Sequence, residues 1–230
     1  MTELLFDLSA LQAESFSSQN HRLVTIEDFL PDPETLIERA NLQKFAKTTP
    51  QYPGVRATLE LELVHTWIDA LSAMLDEHFG TTPNGWGMQA WYSIVTTPPG
   101  DLAPIQCFPH VDGTDPDQLA MMLYLDRTPH GGTAFFRHRS TGYEALTDAT
   151  YPLYAKALQE DVRSTGLPPP RYVTDGAPHF ERTHAIAGRY NQAAFYRGNL
   201  LHSGVIDNSA PLSPDPREGR LTINAFFRPM

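Results

Sequence analysis

Gln89-Ala90-Trp91-Tyr92-Ser93-Ile94-Val95 opens a series of short apolar and aromatic runs broken by Pro, Gly and Asp. Ile105–Val111, Ala120–Leu125 and Thr133–Phe136 come next, and the series resumes with Gln192–Tyr196, Leu200–Ile206 and Leu221–Phe227. Runs this short, separated by turn-forming residues, predict the strands of a barrel or sandwich. Upstream the texture is helical. After a short strand at Val24-Thr25-Ile26, Asp32 is placed to cap a helix whose first turn holds Pro33 and Glu34 and whose apolar face is Leu36, Ile37, Ala40 and Phe45. A second helix shows in Val64, Trp67, Ile68, Leu71, Met74, Leu75 and Phe79, which recur at three- and four-residue steps before Gly80. These two helices are expected to buttress the sheet.

The chain thus reads as mainly β with supporting helices. It is expected to form a single domain over 1–230, with 1–87 as helical support and 88–230 as the β core. Tyr151–Arg163 has helical composition and Gly166–Pro178 is proline-rich. Residues from about 140 to 187 therefore read as an insertion across one face of the core, a place where lids and binding loops occur.

Composition narrows the function. The 230 residues carry 17 Lys+Arg against 27 Asp+Glu, a formal charge of −10, which disfavours nucleic acid and anionic membranes as partners. Cys107 is the single cysteine, which excludes an internal disulfide and reads as a buried structural thiol. Met1–Glu14 is acidic where a signal peptide is basic, and no run approaches the roughly 18 apolar residues of a membrane span. A cytoplasmic protein is expected.

His110-Val111-Asp112 ends one of the apolar runs. On a strand, residues i and i+2 share a face, so this pair would offer a nitrogen and a carboxylate oxygen side by side. The pair alone is a weak signal, and it gains weight from the ordered motifs downstream of it. Met121-Met122-Leu123-Tyr124-Leu125-Asp126 reads as a strand, and Gly131-Gly132-Thr133-Ala134-Phe135-Phe136 as a tight turn into another. Asn199-Leu200-Leu201-His202-Ser203-Gly204 carries an isolated histidine, and Gly219-Arg220-Leu221-Thr222-Ile223-Asn224 starts the last strand.

Two histidines and one carboxylate make the facial triad of non-haem iron(II) oxygenases. With its motifs in this order, the sequence resembles the iron(II)/2-oxoglutarate-dependent dioxygenases, in particular their prolyl-hydroxylase-like branch, over roughly 88–227 outside the insertion. The resemblance implies a double-stranded β-helix, a jelly-roll or cupin-like barrel with helices against its larger sheet. It implies iron(II) held by His110, Asp112 and His202, with 2-oxoglutarate and dioxygen as cosubstrates. Arg220 matches the basic anchor for the far carboxylate of 2-oxoglutarate, Tyr124 a tyrosine that contacts the same group, and Thr222 a hydroxyl two residues beyond the anchor. The residue types agree with these roles, since a guanidinium binds a carboxylate through two parallel hydrogen bonds and Thr222 shares the strand face of Arg220. Relatives place the anchor closer to the distal histidine; here Ser209–Gly219 fills a longer hairpin.

The implied activity is hydroxylation of a C–H bond in a peptide or protein side chain, an amino acid or a small metabolite. Asp112 retains the carboxylate that radical halogenases of the family replace. The rival is a binding or sensing protein that keeps barrel and metal without turnover. Other residues carry blander readings. Arg220 could pair with Glu218, and His130, His138, His179 and His184 read as solvated loop histidines. Tyr52-Pro53-Gly54-Val55-Arg56 reads as a rigid turn, with Arg56 pointing to the site as the alternative. Trp91, Tyr92, Phe135 and Phe136 read as core or pocket lining. Arg137, Arg139 and Arg197 read as solvated arginines or anion-recognising groups near the barrel mouth.

Overall fold

A computed structural model describes residues 6–128 and 130–230. Residues 1–5 of the acidic stretch Met1–Glu14 and Pro129 lie outside the described residues. In chain order the elements are β1 (Leu11–Phe16), β2 (His21–Ile26), α1 (Glu34–Asn41), β3 (Gly54–Thr58), α2 (Leu61–Phe79), β4 (Trp86–Val95), β5 (Leu119–Tyr124), β6 (Thr133–His138), α3 (Tyr151–Thr165), β7 (Phe180–Ile186), β8 (Ala193–Arg197), β9 (His202–Gly204) and β10 (Arg220–Pro229). The protein is mainly β, in two antiparallel sheets. The larger has the order β1-β2-β8-β5-β10-β4-β3 and the smaller β7-β6-β9. The smaller sheet is widened by an isolated bridge between His110 and His202.

Alternation along the strands sorts the layers, because successive side chains point to opposite faces. Ala90, Tyr92 and Ile94 of β4, Leu221, Ile223, Ala225 and Phe227 of β10, and Phe195 of β8 join one core. Trp67, Leu71, Met74 and Leu75 of α2, with Leu36, Ile37 and Ala40 of α1, cover that face. The helices do buttress the sheet, and the buried stripe of α2 repeats at the steps read from its sequence. Gly80 ends α2 with a φ of 106°, and its N–H donates to Asp76 O. The other face turns Ala120, Tyr124, Ala194 and Tyr196 toward Phe135 of β6 and Ile186 of β7, so the two sheets pack face to face.

Several expectations change. Ile105–Val111 is not a strand: Pro104–Cys107 forms a short 3-10 turn, and pairing is limited to the His110 bridge. Pro104 and Pro109 have no N–H to give a ladder, which accounts for the loss. Asp32 does not cap α1. Its carboxylate accepts from the Thr35 hydroxyl (2.7 Å), and the helix starts at Glu34. The first third holds three strands, of which β1 and β3 are absent from the sequence reading. Part of the stretch expected to be an insertion, 180–186, is β7, hydrogen-bonded to β6. Its middle residues Glu181, Arg182, Thr183 and His184 are polar, as suits the edge of a sheet. Cys107 is buried and free, as expected. No described helix is long and apolar enough to cross a membrane.

Candidate metal centre

Backbone hydrogen bonds assemble the triad. His110 and His202 exchange N–H···O bonds in both directions (2.8 Å each), which sets the two histidines directly opposite each other. Asp112 comes next in a bend, not a strand, held by its N–H to Gly198 O (2.8 Å). The pair His110 and Asp112 still faces one point. Asp112 Oδ1 lies 3.9 Å from His110 Nε2, and Oδ2 lies 3.4 Å from His202 Nε2. One ligand atom from each residue falls within 4.8 Å of the others. His202 Nδ1–H donates to Leu200 O (2.8 Å), which fixes the tautomer and turns the Nε2 lone pair toward Asp112.

The charges of this cluster are unsettled by its surroundings. Burial pushes the Asp112 carboxyl up, and the nearby His202 and Arg56 oppose that. The carboxylate accepts no hydrogen bond from any described donor. His110 keeps 53% of its side-chain surface accessible, yet it stands on the wall of a cavity where the surrounding protein, then His202 and Arg56, push its pKa down. Two imidazoles, each presenting Nε2, and a carboxylate without hydrogen-bond partners are the donor set of a divalent transition metal that keeps open positions. A bound dication would relieve the carboxylate and favour the neutral rings.

The triad opens on a cavity of about 560 Å³ between the two sheets. Arg220, Asn224 and Tyr196 reach it from the large sheet, Thr133 from the small one, and Tyr151, Tyr154 and Leu158 from α3. The helix in the expected insertion therefore walls the site. Arg220 is 3% exposed and pairs with no described acid, Glu218 included. Its Nε and Nη2 donate to the carbonyls of Gly131 and Gly132 (3.1 Å each), and Nη1 has no described partner. The glycines are required there. A Cβ on Gly131 would stand 1.7 Å from Val205 O, and one on Gly132 2.0 Å from Ile186 O.

Tyr124 and Thr222 lie deeper than expected. Both are fully buried and neither lines the cavity. Tyr124 shares a hydrogen bond with the Thr133 hydroxyl (2.8 Å), and the Thr222 hydroxyl donates to Asn224 Oδ1 (2.7 Å). Parity puts them on the inner face, but Thr133 and Asn224, to which they are hydrogen-bonded, form the wall instead. Burial pushes the Tyr124 phenol up to about 12, with Thr133 and Arg220 opposing.

The remaining candidates separate cleanly. Arg137 is bound by Glu144, Arg197 faces Asp117, Arg139 is exposed, and none of them lines the cavity. The four other histidines are not free in solvent. His130 is buried against Asp126 (3.1 Å) and His138 against Asp161 (3.0 Å), while His179 and His184 face Asp161 and Glu14. Tyr92 and the two phenylalanines are core, whereas Trp91 packs at a tilt against Phe226 on the inner face. Arg56 does reach the cavity, through β3 and not through a turn. Its signal in the sequence is the alternation Val55-Arg56-Ala57, too short to read as a strand. Asn224 could have been found from its spacing, since it lies two strand steps beyond Arg220.

Residues 8–227 match the model of a family of unknown function (DUF6445), and the chain belongs to that family. No curated protein matches it in sequence. Among solved structures it is similar to HygX from Streptomyces hygroscopicus with nickel and 2-oxoglutarate bound, at a TM-score of 0.53 and 11% identity, over 90% of this chain and 83% of that one. It is also similar to SnoK, a non-heme alpha ketoglutarate dependent carbocyclase from nogalamycin biosynthesis (TM-score 0.50, 12% identity, 91% and 80% covered). A third likeness is to the epimerase SnoN in complex with Fe3+, alpha ketoglutarate and nogalamycin RO (TM-score 0.50, 13% identity, 90% and 78% covered). At these identities the likeness is one of fold.

Proposed function

We propose that the chain is an iron(II)- and 2-oxoglutarate-dependent oxygenase that hydroxylates a C–H bond of a small molecule or peptide. One observation carries the reading: a His110–Asp112–His202 donor set and a buried, acid-free Arg220 open on the same cavity. A guanidinium taken out of water without a counter-charge is costly, so a ligand carboxylate is the partner that fits it. The strand order supports reading the two sheets as a double-stranded β-helix, and the order of motifs supports the prolyl-hydroxylase-like branch for the iron site alone.

His110, Asp112 and His202 would hold iron(II) on one face and leave the other for cosubstrate. Arg220, clamped by Gly131 and Gly132, keeps Nη1 to bind the far carboxylate of 2-oxoglutarate. Tyr124 sets the Thr133 hydroxyl, and Thr222 sets the Asn224 amide, so both act on the cosubstrate pocket through a neighbour. Tyr151, Tyr154 and Leu158 would close the cavity against water. When bound, iron(II) would supply the oxidation, in which 2-oxoglutarate loses carbon dioxide and takes one atom of dioxygen to become succinate while the other atom enters the C–H bond of the substrate. HygX is known with hygromycin B bound, SnoN with nogalamycin RO, and SnoK belongs to nogalamycin biosynthesis, which supports a small-molecule substrate here.

Anaerobic addition of iron(II) and then 2-oxoglutarate is expected to give the weak visible charge-transfer band of a chelated keto acid. Asp112→Ala should abolish it and Arg220→Gln should shift its appearance to higher 2-oxoglutarate. A wild-type protein without the band, or an Asp112→Ala variant that keeps it, would overturn the proposal.

A further inference from the structure

A second unpaired cation stands in the same cavity. Arg56 lies on β3, opposite Ser93 of β4, and its neighbours Val55 and Ala57 turn to the helix-covered core while it turns inward. Its guanidinium stacks 4.0 Å from the Tyr52 ring centroid and 5.7 Å from that of Trp91. No described carboxylate approaches it within ion-pair distance. Arg56 Nε, Tyr52 Oη and Ser93 Oγ are all buried without a hydrogen-bond partner. Tyr52 Oη is near enough to feel the charge of Arg56 and the Ser93 hydroxyl, but bonds neither with proper geometry. Arg56 and Tyr52 line the cavity, with Ser93 fully buried behind them, so this corner offers an arginine and a phenol that no described acid occupies.

2-Oxoglutarate does not account for this corner. Its keto-acid end belongs at the triad and its far carboxylate at Arg220, which leaves no anionic group over. Arg56 lines the cavity together with His110 and Asp112, and its field reaches both, whereas that of Arg220 reaches Tyr124, Tyr172 and Tyr196; Tyr52 feels both cations, Arg56 the more. Arg56 thus sits on the reaction side of the cavity. A planar fork beside the Tyr52 hydroxyl fits a carboxylate, and the lining around it is mostly apolar or aromatic, with Ile105, Phe108, Tyr154 and Leu158, and with Thr49, Gln51 and Gln106 as polar members at its edge.

We infer that Arg56, with Tyr52, is the anchor for a carboxylate on the substrate, which is a small carboxylic acid with a largely apolar body. This rests on the proposed oxygenase reading, and it adds the substrate class. The anchored carboxylate would fix which C–H bond faces the metal.

The test uses 3-phenylpropanoate and 3-phenylpropanamide as probes, titrated anaerobically into the wild-type protein loaded with iron(II) and 2-oxoglutarate and followed by ligand-observed NMR. The acid is expected to bind about 10- to 100-fold more tightly than the amide, as for a charge-assisted hydrogen-bonded pair. Arg56→Gln should erase that preference and leave 2-oxoglutarate affinity within about threefold, while Arg220→Gln should do the reverse. Tyr52→Phe keeps the stacked ring and should weaken the acid about three- to tenfold, which serves if Arg56→Gln does not fold. The inference is overturned if the wild type binds neither probe or does not distinguish them, if the preference survives Arg56→Gln, or if Arg56→Gln costs 2-oxoglutarate binding instead. Failure of 2-oxoglutarate to bind the wild type, or binding unaffected by Arg220→Gln, would count against the oxygenase reading and not against Arg56; the probes are then compared on the metal-free protein, where loss of the acid preference in Arg56→Gln still supports the anchor and its persistence overturns it.

Discussion

The outer face of the seven-stranded sheet carries Tyr92, Ile94, Phe195, Leu221, Ile223 and Phe227, all closed in by helices. The inner face of the same strands carries Arg56, Ser93, Tyr124, Arg220, Thr222 and Asn224. A single residue step separates the two sets, because side chains alternate across a strand. On the outer face apolar contacts complete one another. Polar groups on the inner face are only partly satisfied, and Arg56, Arg220 and Asn224 among them line one cavity. Stability and chemistry are thereby written on alternate letters of the same segments, so a substitution on one face should leave the property of the other largely intact.

The sharpest way to break that division is at the triad opposite the inner face. Asp112→Ala is expected to lower 2-oxoglutarate turnover on the order of 10³-fold or more, with iron retention lost in equilibrium dialysis. Its thermal midpoint without metal should not fall, because the change removes a buried carboxylate that has no hydrogen bond. Phe227→Ala tests the outer face. Emptying that buried site should cost about 3–5 kcal/mol in denaturant unfolding, while the folded fraction keeps its 2-oxoglutarate affinity. A comparable loss of affinity would show that the faces are coupled.

Arg220→Lys is a smaller change on the inner face. It keeps the charge and loses the fork held by two glycine carbonyls, and calorimetric titration is expected to give about 10- to 100-fold weaker 2-oxoglutarate binding. Thr222→Val is the mildest. It removes the hydroxyl that holds Asn224, at a cost of about 1 kcal/mol in stability, with a rise in KM for 2-oxoglutarate of no more than a few-fold.

Much of this division was legible in the sequence. The stripe of α2 and the runs in β4, β5 and β10 repeat with the periods of their elements, and the motifs around His110, Asp112 and His202 lead to residues that do meet. What escaped was set by pairing between distant segments. β3 has five residues and starts at Gly54, whose absent side chain lets it lie against Ile94 O, so its partner strand and not its own pattern makes it a strand. β7 is polar in its middle because it is an edge. His110 looks like the end of a strand, but Pro104 and Pro109 before it confine it to a single bridge. The depth of Tyr124 and Thr222 was hidden for another reason: alternation gives the face of a residue, and contacts such as those to Thr133 of the facing sheet and Asn224 decide whether it reaches the cavity.

Gly131 and Gly132 locate Arg220 independently of the chain that leads to it. The ladder to β4 and these two carbonyls fix the arginine at one end, and the Val205 N–H bond to Gly132 O fixes the other end of the connection. Within residues 207–218, with three prolines, Asn208 exchanges hydrogen bonds with Tyr172 and Leu212 packs beside Tyr52 and Tyr172, so it is the stretch 213–218 that closes the gap between anchored points. Closing a loop of twice the length costs only about 0.6 kcal/mol more. The stretch 213–218 is therefore where descendants of the chain can drift in length with least effect on the cavity, and the natural place to splice in a reporter domain.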